Sequence, residues 1–223
     1  METQKKISQY DYLFFDTECS DGNHLCSFGY IITDSDFNIR EKKDIIINPK
    51  AKIYLNGRRP TEHFKLGYEE QQLRSAPTFN IVYKEIKTVL EKDCQIIVGH
   101  SARSDLMHLK KACEDNEKHQ FKFKTLDTQK IYKDCCHEKN DVALFTIAKD
   151  LGINETEDLH TGLSGANDTL KVFVALVKKF NLNVEDLLSS EKYIEQMPIF
   201  EDKKATSLSV SVFELLKSKN ITL

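Results

Sequence analysis

The chain has 223 residues, of which 40% are hydrophobic and 30% charged, with a net charge of -3. That length suffices for one sizeable core with an appended tail, and the composition is that of an ordinary globular protein. The small negative charge argues against a protein that coats nucleic acid by bulk attraction, yet it leaves room for an acidic site that meets phosphate through bridging cations.

In chain order, the apolar run at 12–15 predicts a strand buried on both faces. Residues 25–33 and 44–48 predict two more, the third broken by Asn48-Pro49. Residues 50–77 read as irregular, with Asn56-Gly57-Arg58-Arg59-Pro60 a turn and an exposed basic spot. Ile81, Val82, Ile86, Val89 and Leu90 recur at helical spacing and predict a helix over 80–91. A short strand at 95–98 ends in Gly99-His100-Ser101, and a helix over 105–113 follows with Leu106 and Leu109 inward. A brief strand is expected at 124–127 and a helix over 144–151 closed by Gly152. The last core helix begins near a cap at Ser164 and carries 172–177.

Three early strands followed by alternating helices and short strands indicate an α/β domain with a mixed sheet, organised over 8–183. Residues 184–223 form an extension, mainly helical, interrupted at Met197-Pro198 and amphipathic near 212–216. It can dock on the core, pair two copies into a homodimer, or stay loose. No stretch approaches the roughly 18 apolar residues of a membrane span, and Met1-Glu2-Thr3-Gln4-Lys5-Lys6 lacks a signal-peptide core. A cytoplasmic protein with no membrane contact is expected. The six cysteines are scattered without a Cys-x-x-Cys pair, which fits free thiols in a reducing compartment. Adjacent cysteines chelate poorly, so Cys135-Cys136-His137 does not make a zinc site without a second half.

The chemistry concentrates at Asp16-Thr17-Glu18. Two carboxylates two residues apart on a strand point to the same side. Such charge at the tip of a buried strand is costly unless a cation neutralises it, and divalent ions with oxygen ligands do so most simply. A third acid, Asp105, follows the strand at 95–98 and opens a helix, where strand ends converge and α/β folds bind ligands. Alone it would be a first-turn acid favoured by the helix dipole; beside Asp16 and Glu18 it joins an acidic constellation. His160, ahead of a helix that carries Asp168, has the chemistry to take a proton from a water near neutral pH.

Taken in order, Phe15-Asp16-Thr17-Glu18-Cys19, Val98-Gly99-His100-Ser101 with Asp105-Leu106, and His160 before a helix resemble the three exonuclease motifs of the DEDD superfamily. The histidine places the resemblance in the DEDDh branch, with proofreading subunits of DNA polymerases, oligoribonuclease and ribonuclease T. Leu126-Asp127-Thr128 and the segment 144–153 are similar to the family's usual spacer, so the likeness runs over about 12–182.

The resemblance implies a ribonuclease H-like fold, a mixed five-stranded sheet flanked by helices, with two divalent cations, Mg²⁺ or Mn²⁺. It also implies a single-stranded DNA or RNA 3′ end as substrate. Asp16 would bridge both ions, Glu18 would ligate one and touch the attacking water, and Asp105 would hold the second mainly through water. His160 would be the general base.

One position departs from the pattern. The family's last aspartate falls five residues after the histidine, which here is Gly165. Asp168 lies three residues further, about 4.5 Å up a helix and roughly 60° around it. Either Asp168 serves as the fourth metal ligand, directly or displaced, or the first ion's shell is incomplete. The alternative to an active exonuclease is therefore a degenerate nuclease domain that binds nucleic acid or a protein partner. Ser101 stands where relatives usually carry asparagine. Arg103, Lys110, Lys111, Arg58 and Arg59 are candidate phosphate contacts, and His100 reads as a structural residue.

Overall fold

The computed structural model describes residues 11–57, 65–93, 95–153 and 160–197. Strands β1 (Asp11–Cys19), β2 (Leu25–Thr33) and β3 (Ile39–Ile46) form an antiparallel meander, with Asp16 opposite Gly29 and Gly29 opposite Asp44. Helices α1 (Glu70–Ser75) and α2 (Phe79–Leu90) precede β4 (Gln95–Gly99), which pairs parallel to β1. Helix α3 (Arg103–Asp115) then leads to β5 (Lys124–Asp127), parallel to β4. Helices α4 (Thr128–Cys136), α5 (Leu144–Asp150), α6 (Gly162–Lys179) and α7 (Val184–Ser189) follow. A last strand, β6 (Ile194–Gln196), runs antiparallel to β5, and the sheet order is β3-β2-β1-β4-β5-β6.

This is the expected α/β architecture with a mixed sheet, but with six strands rather than five. The sixth comes from beyond residue 183, where Leu187 is also buried. Three polar-flanked residues on a sheet edge carry no periodicity to betray them. The third strand begins at Ile39 rather than 44, because 39–43 form an edge exposed on both faces and lack alternation. Helices α1 and α4 were not foreseen. The helix expected from Ser164 starts earlier: Thr161 is the cap, its hydroxyl accepting the Ser164 N–H at 3.0 Å while Ser164 Oγ accepts the Thr161 N–H. Arg58, Arg59, Pro60 and the piece near 212–216 lie outside the described residues.

Side-chain alternation along β1 sorts the core into two layers. Leu13 and Phe15 join Phe28, Ile86, Leu106 and Leu109 on the α2–α3 side. Tyr12 and Phe14 join Ile31, Ala166, Leu170, Phe173 and Leu176 on the α6 side. The spacing 166, 170, 173, 176 is one helical face. Phe14 and Phe173 are fully buried and their rings sit 5.7 Å apart. Truncating either should cost about 3–5 kcal/mol. Among the described residues no helix is long and apolar enough to cross a membrane, and Cys19, Cys26, Cys113, Cys135 and Cys136 are free thiols.

Candidate active site

The same alternation that builds the core aims the site. Asp16 and Glu18 continue the Tyr12–Phe14 face toward α6, whereas Thr17 points to the opposite layer and meets α3. Thr17 donates its N–H (2.9 Å) and its hydroxyl (2.6 Å) to Asp105 Oδ1, and Asp105 is only 3% exposed. The Thr17 hydroxyl has a single proton, so His108 Nδ1, 3.0 Å from Thr17 Oγ1, must be the donor in that pair. Burial lowers the His108 pKa, which suits a neutral ring in that role.

Asp127 at the end of β5 shapes the loop that delivers Asp105. Its carboxylate accepts the N–H groups of Ser101 (3.0 Å), Ala102 (3.1 Å) and Gln129 (2.9 Å). Ser101 sits at φ 49°, in the left-handed region where asparagine is enriched, a physical reason for asparagine at this position. His100 is partly buried, with Nδ1 2.9 Å from Thr128 Oγ1, and desolvation pushes its pKa down to about 4. It stays neutral and structural.

The three acids repel one another in a poorly hydrated place. Burial, then the charges of Asp105 and Glu18, raise Asp16 well above the carboxylate range. Burial, then Asp105 and Asp44, push Glu18 up to about 8. Burial carries Asp105 to about 7 against the Thr17 hydrogen bonds. The structure thus brings Asp16, Glu18 and Asp105 together. His160 stands beside them, with Nδ1 3.9 Å from Glu18 Oε1 and a side chain 52% exposed.

Gly165 and Asp168 take different places on α6. A Cβ built on Gly165 would lie 2.5 Å from Asp16 Cγ and 3.0 Å from Asp16 Cβ. Glycine therefore occupies the position directly against the Asp16 side chain. Asp168, three residues on, sits 3.5 Å from Lys171 Nζ. Asp44, which sequence reasoning missed, is among the carboxylates that raise Asp16.

An all-oxygen, partly buried, mutually repelling donor set suits hard divalent cations. Asp16, Glu18 and Asp105 fit that chemistry. Among the described residues, no group of three His, Cys, Asp or Glu is gathered closely enough to hold an ion as it stands.

Two cavities flank the helix that bears Asp105. One, of about 710 Å³, is lined by Arg103, Lys130, Lys133, Lys192 and Tyr193 among others. Its lysines are paired, Lys130 with Glu195 (2.6 Å), Lys133 with Asp141 (2.7 Å) and Lys192 with Asp134 (2.9 Å). The other, of about 410 Å³, is lined by Asn23, Arg103, Met107, His108, Lys110 and Lys111 among others. Lys110 and Lys111 pair with Glu114 and Asp115, whereas Arg103 makes no ion pair with a described residue.

Residues 60–176, just over half of the chain, match the family model DEDDh_C, described as the DNA polymerase III subunit epsilon-like C-terminal domain. That span holds Asp105, His160, Gly165 and Asp168 and leaves Asp16 and Glu18 outside. Among solved structures, the nuclease domain of 3′hExo, a DEDDh family member bound to rAMP, aligns with a TM-score of 0.60 at 15% identity, covering 78% of this chain and 94% of that one. Exonuclease X in complex with 5′ overhanging duplex DNA aligns with a TM-score of 0.58 at 14% identity, covering 80% and 98%. E. coli exonuclease I in complex with a dT13 oligonucleotide aligns with a TM-score of 0.60 at 17% identity, covering 81% and 44%. At these identities the likeness establishes the fold. A sequence search among curated proteins finds no match.

Proposed function

Because this chain belongs to the DEDDh family, we propose that it is a metal-dependent 3′–5′ exonuclease that removes nucleotides from single-stranded DNA or RNA ends. The observation that carries the reading is the meeting of Asp16, Glu18 and Asp105 at the tip of β1, where Asp105 on α3 accepts the N–H of Thr17, the residue between the other two acids, at 2.9 Å, with His160 3.9 Å from Glu18. Asp16, Glu18 and Asp105 would hold Mg²⁺ or Mn²⁺. Bound there, such ions supply the positive charge that stabilises the attacking and leaving oxygens of an in-line displacement. His160, half in solvent, would accept a proton from an incoming water and hand it to bulk. Thr17 fixes Asp105, and Arg103, which makes no ion pair with a described residue, would meet a phosphate of the strand.

Release of mononucleotides from a labelled single strand with Mn²⁺, comparing wild type with Asp16→Ala, tests this. The reading requires release that the substitution abolishes. A second reading is favoured by one observation, the glycine against Asp16 where the family's last acid would fall. On that reading the domain retains a strand without efficient cleavage. Binding of the same strand by wild type, with no release in Mn²⁺, would select it.

A further inference from the structure

Asp44 on β3 anchors a chain of hydrogen bonds that ends at the backbone around His160. Ser27 Oγ donates to Asp44 Oδ1 at 2.6 Å, and the Tyr68 hydroxyl donates to Asp44 Oδ2 at 2.6 Å. The one Tyr68 hydroxyl proton faces both Asp44 Oδ2 and Ser27 Oγ (2.8 Å), and the Tyr68 oxygen accepts the N–H of Gly162 at 3.1 Å. Tyr68 is 8% exposed, and its ring packs with Cys26, Leu66 and Leu73.

The same short segment grips His160 directly. Gly67 donates its N–H to the His160 carbonyl at 2.8 Å, and His160 donates its own N–H to the Lys65 carbonyl at 3.0 Å. Leu66 and His160 form an isolated parallel bridge. His160 and the first residue of α6 are therefore both fastened to 65–68, and Asp44 fastens 65–68 to the sheet. Steric fit reinforces this. A Cβ on Gly162 would lie 2.5 Å from both Gly29 N and Ser27 Oγ, and one on Gly29 would collide with the Gly162 backbone. Gly29 sits between Asp16 and Asp44 across the three strands, so the clamp and the acids share one row.

We propose that Tyr68 and Asp44 are positioning residues for His160: the Asp44–Tyr68–Gly162 hydrogen-bond chain and the 65–67 backbone pairing hold the histidine at its station beside Glu18. This rests on the reading of His160 as the proton acceptor. Half of the His160 side chain is in solvent, so its aim depends heavily on where its backbone is held. Tyr68→Phe keeps the ring in its apolar setting and removes only the hydroxyl.

The test uses the full chain with Mn²⁺ and a single-stranded oligonucleotide. Tyr68→Phe should lower kcat about tenfold, the scale of a misplaced catalytic group, while KM and the Mn²⁺ dissociation constant stay within about twofold, because the acids on β1 and α3 are untouched. Ser27→Ala, which removes one of the two hydroxyls that hold Asp44 and changes no charge, should show a smaller loss of kcat in the same direction. It also carries the test if Tyr68→Phe fails to fold. A tie with no bearing on His160 would lower the melting temperature and leave kcat unchanged well below it; that result overturns the proposal. Histidine-labelled NMR, with the His160 ring signals assigned by His160→Gln, separates this from the exonuclease reading. Should wild type release no nucleotide, that reading falls, and the clamp is judged by the ring signals alone. Displaced signals in Tyr68→Phe support it, and signals coincident with wild type overturn it.

Discussion

Gly165 lies flat against the side chain of Asp16, with no room for even a methyl group between helix and strand. Substitution there combines two effects, crowding of Asp16 and the gain of a carboxylate. Gly165→Ala has only the first and should destabilise the protein by about 1–3 kcal/mol, with weaker Mn²⁺ binding. Gly165→Asp has both. If position 165 faces the ion, the aspartate variant should cleave at least about tenfold faster than the alanine variant at saturating Mn²⁺, the scale of a lost or gained ligand contact. Equal rates would mean that no ion reaches this position.

Asp168 stands 3.5 Å from Lys171, a pair of the kind worth about 0–1 kcal/mol, and the prediction is that it does not ligate the ion. Asp168→Ala should keep kcat within about fivefold of wild type, the equivalent of that energy. Loss of activity as deep as that of Asp16→Ala would show that Asp168 is the displaced fourth ligand.

How much of this was legible in the chain divides by range. The aim of Asp16 and Glu18 follows from period two along one apolar strand, and Asp105 follows from its place after another. Those are local signals. Strands β1, β2, β4 and β5 were legible for the same reason, as apolar runs. Strand β3 was not fully legible, because Arg40, Glu41, Lys42 and Lys43 are all exposed and no face is marked. Asp44 and Tyr68 were invisible because their bond joins residues 24 apart, and Tyr68 meets Gly162 across 94. No local pattern encodes such a meeting. Gly29 and Gly162 would have been a clue, as glycines in a strand and at a helix start mark close backbone approach.

Thr17 gives a more selective handle on the metal-binding acids. Thr17→Val keeps the shape and removes the hydroxyl bond to Asp105 Oδ1 while the Thr17 N–H bond stays. Mn²⁺ affinity should fall about tenfold, the lower end of what a supporting hydrogen bond contributes. Manganese titration followed by electron paramagnetic resonance reads this directly. Unchanged affinity would separate Asp105 from the ion.

The acids also fix how stability responds to pH. Glu18 titrates near 8 and Asp105 near 7 in the folded chain, against ordinary values of 4.5 and 3.8. Between the two sets of values the folded state binds more protons than the unfolded state. Their contribution to stability is therefore complete below the ordinary values and is lost as pH rises through about 7–8. In EDTA the protein should melt at least about 3 °C lower at pH 8 than at pH 5, and Glu18→Gln should flatten that slope. Mn²⁺ binds the ionised form and should recover the loss at pH 8. A melting temperature that climbs with pH in EDTA would contradict the burial assigned to these groups.

The central claim is that Asp16, Glu18 and Asp105 make one cation site, and its most direct test is Mn²⁺ binding to wild type, Asp16→Ala and Asp105→Ala by electron paramagnetic resonance at pH 8. Wild type should bind Mn²⁺, and each single substitution should weaken that binding even though the two residues lie on different elements. Equal binding by all three proteins would contradict the account.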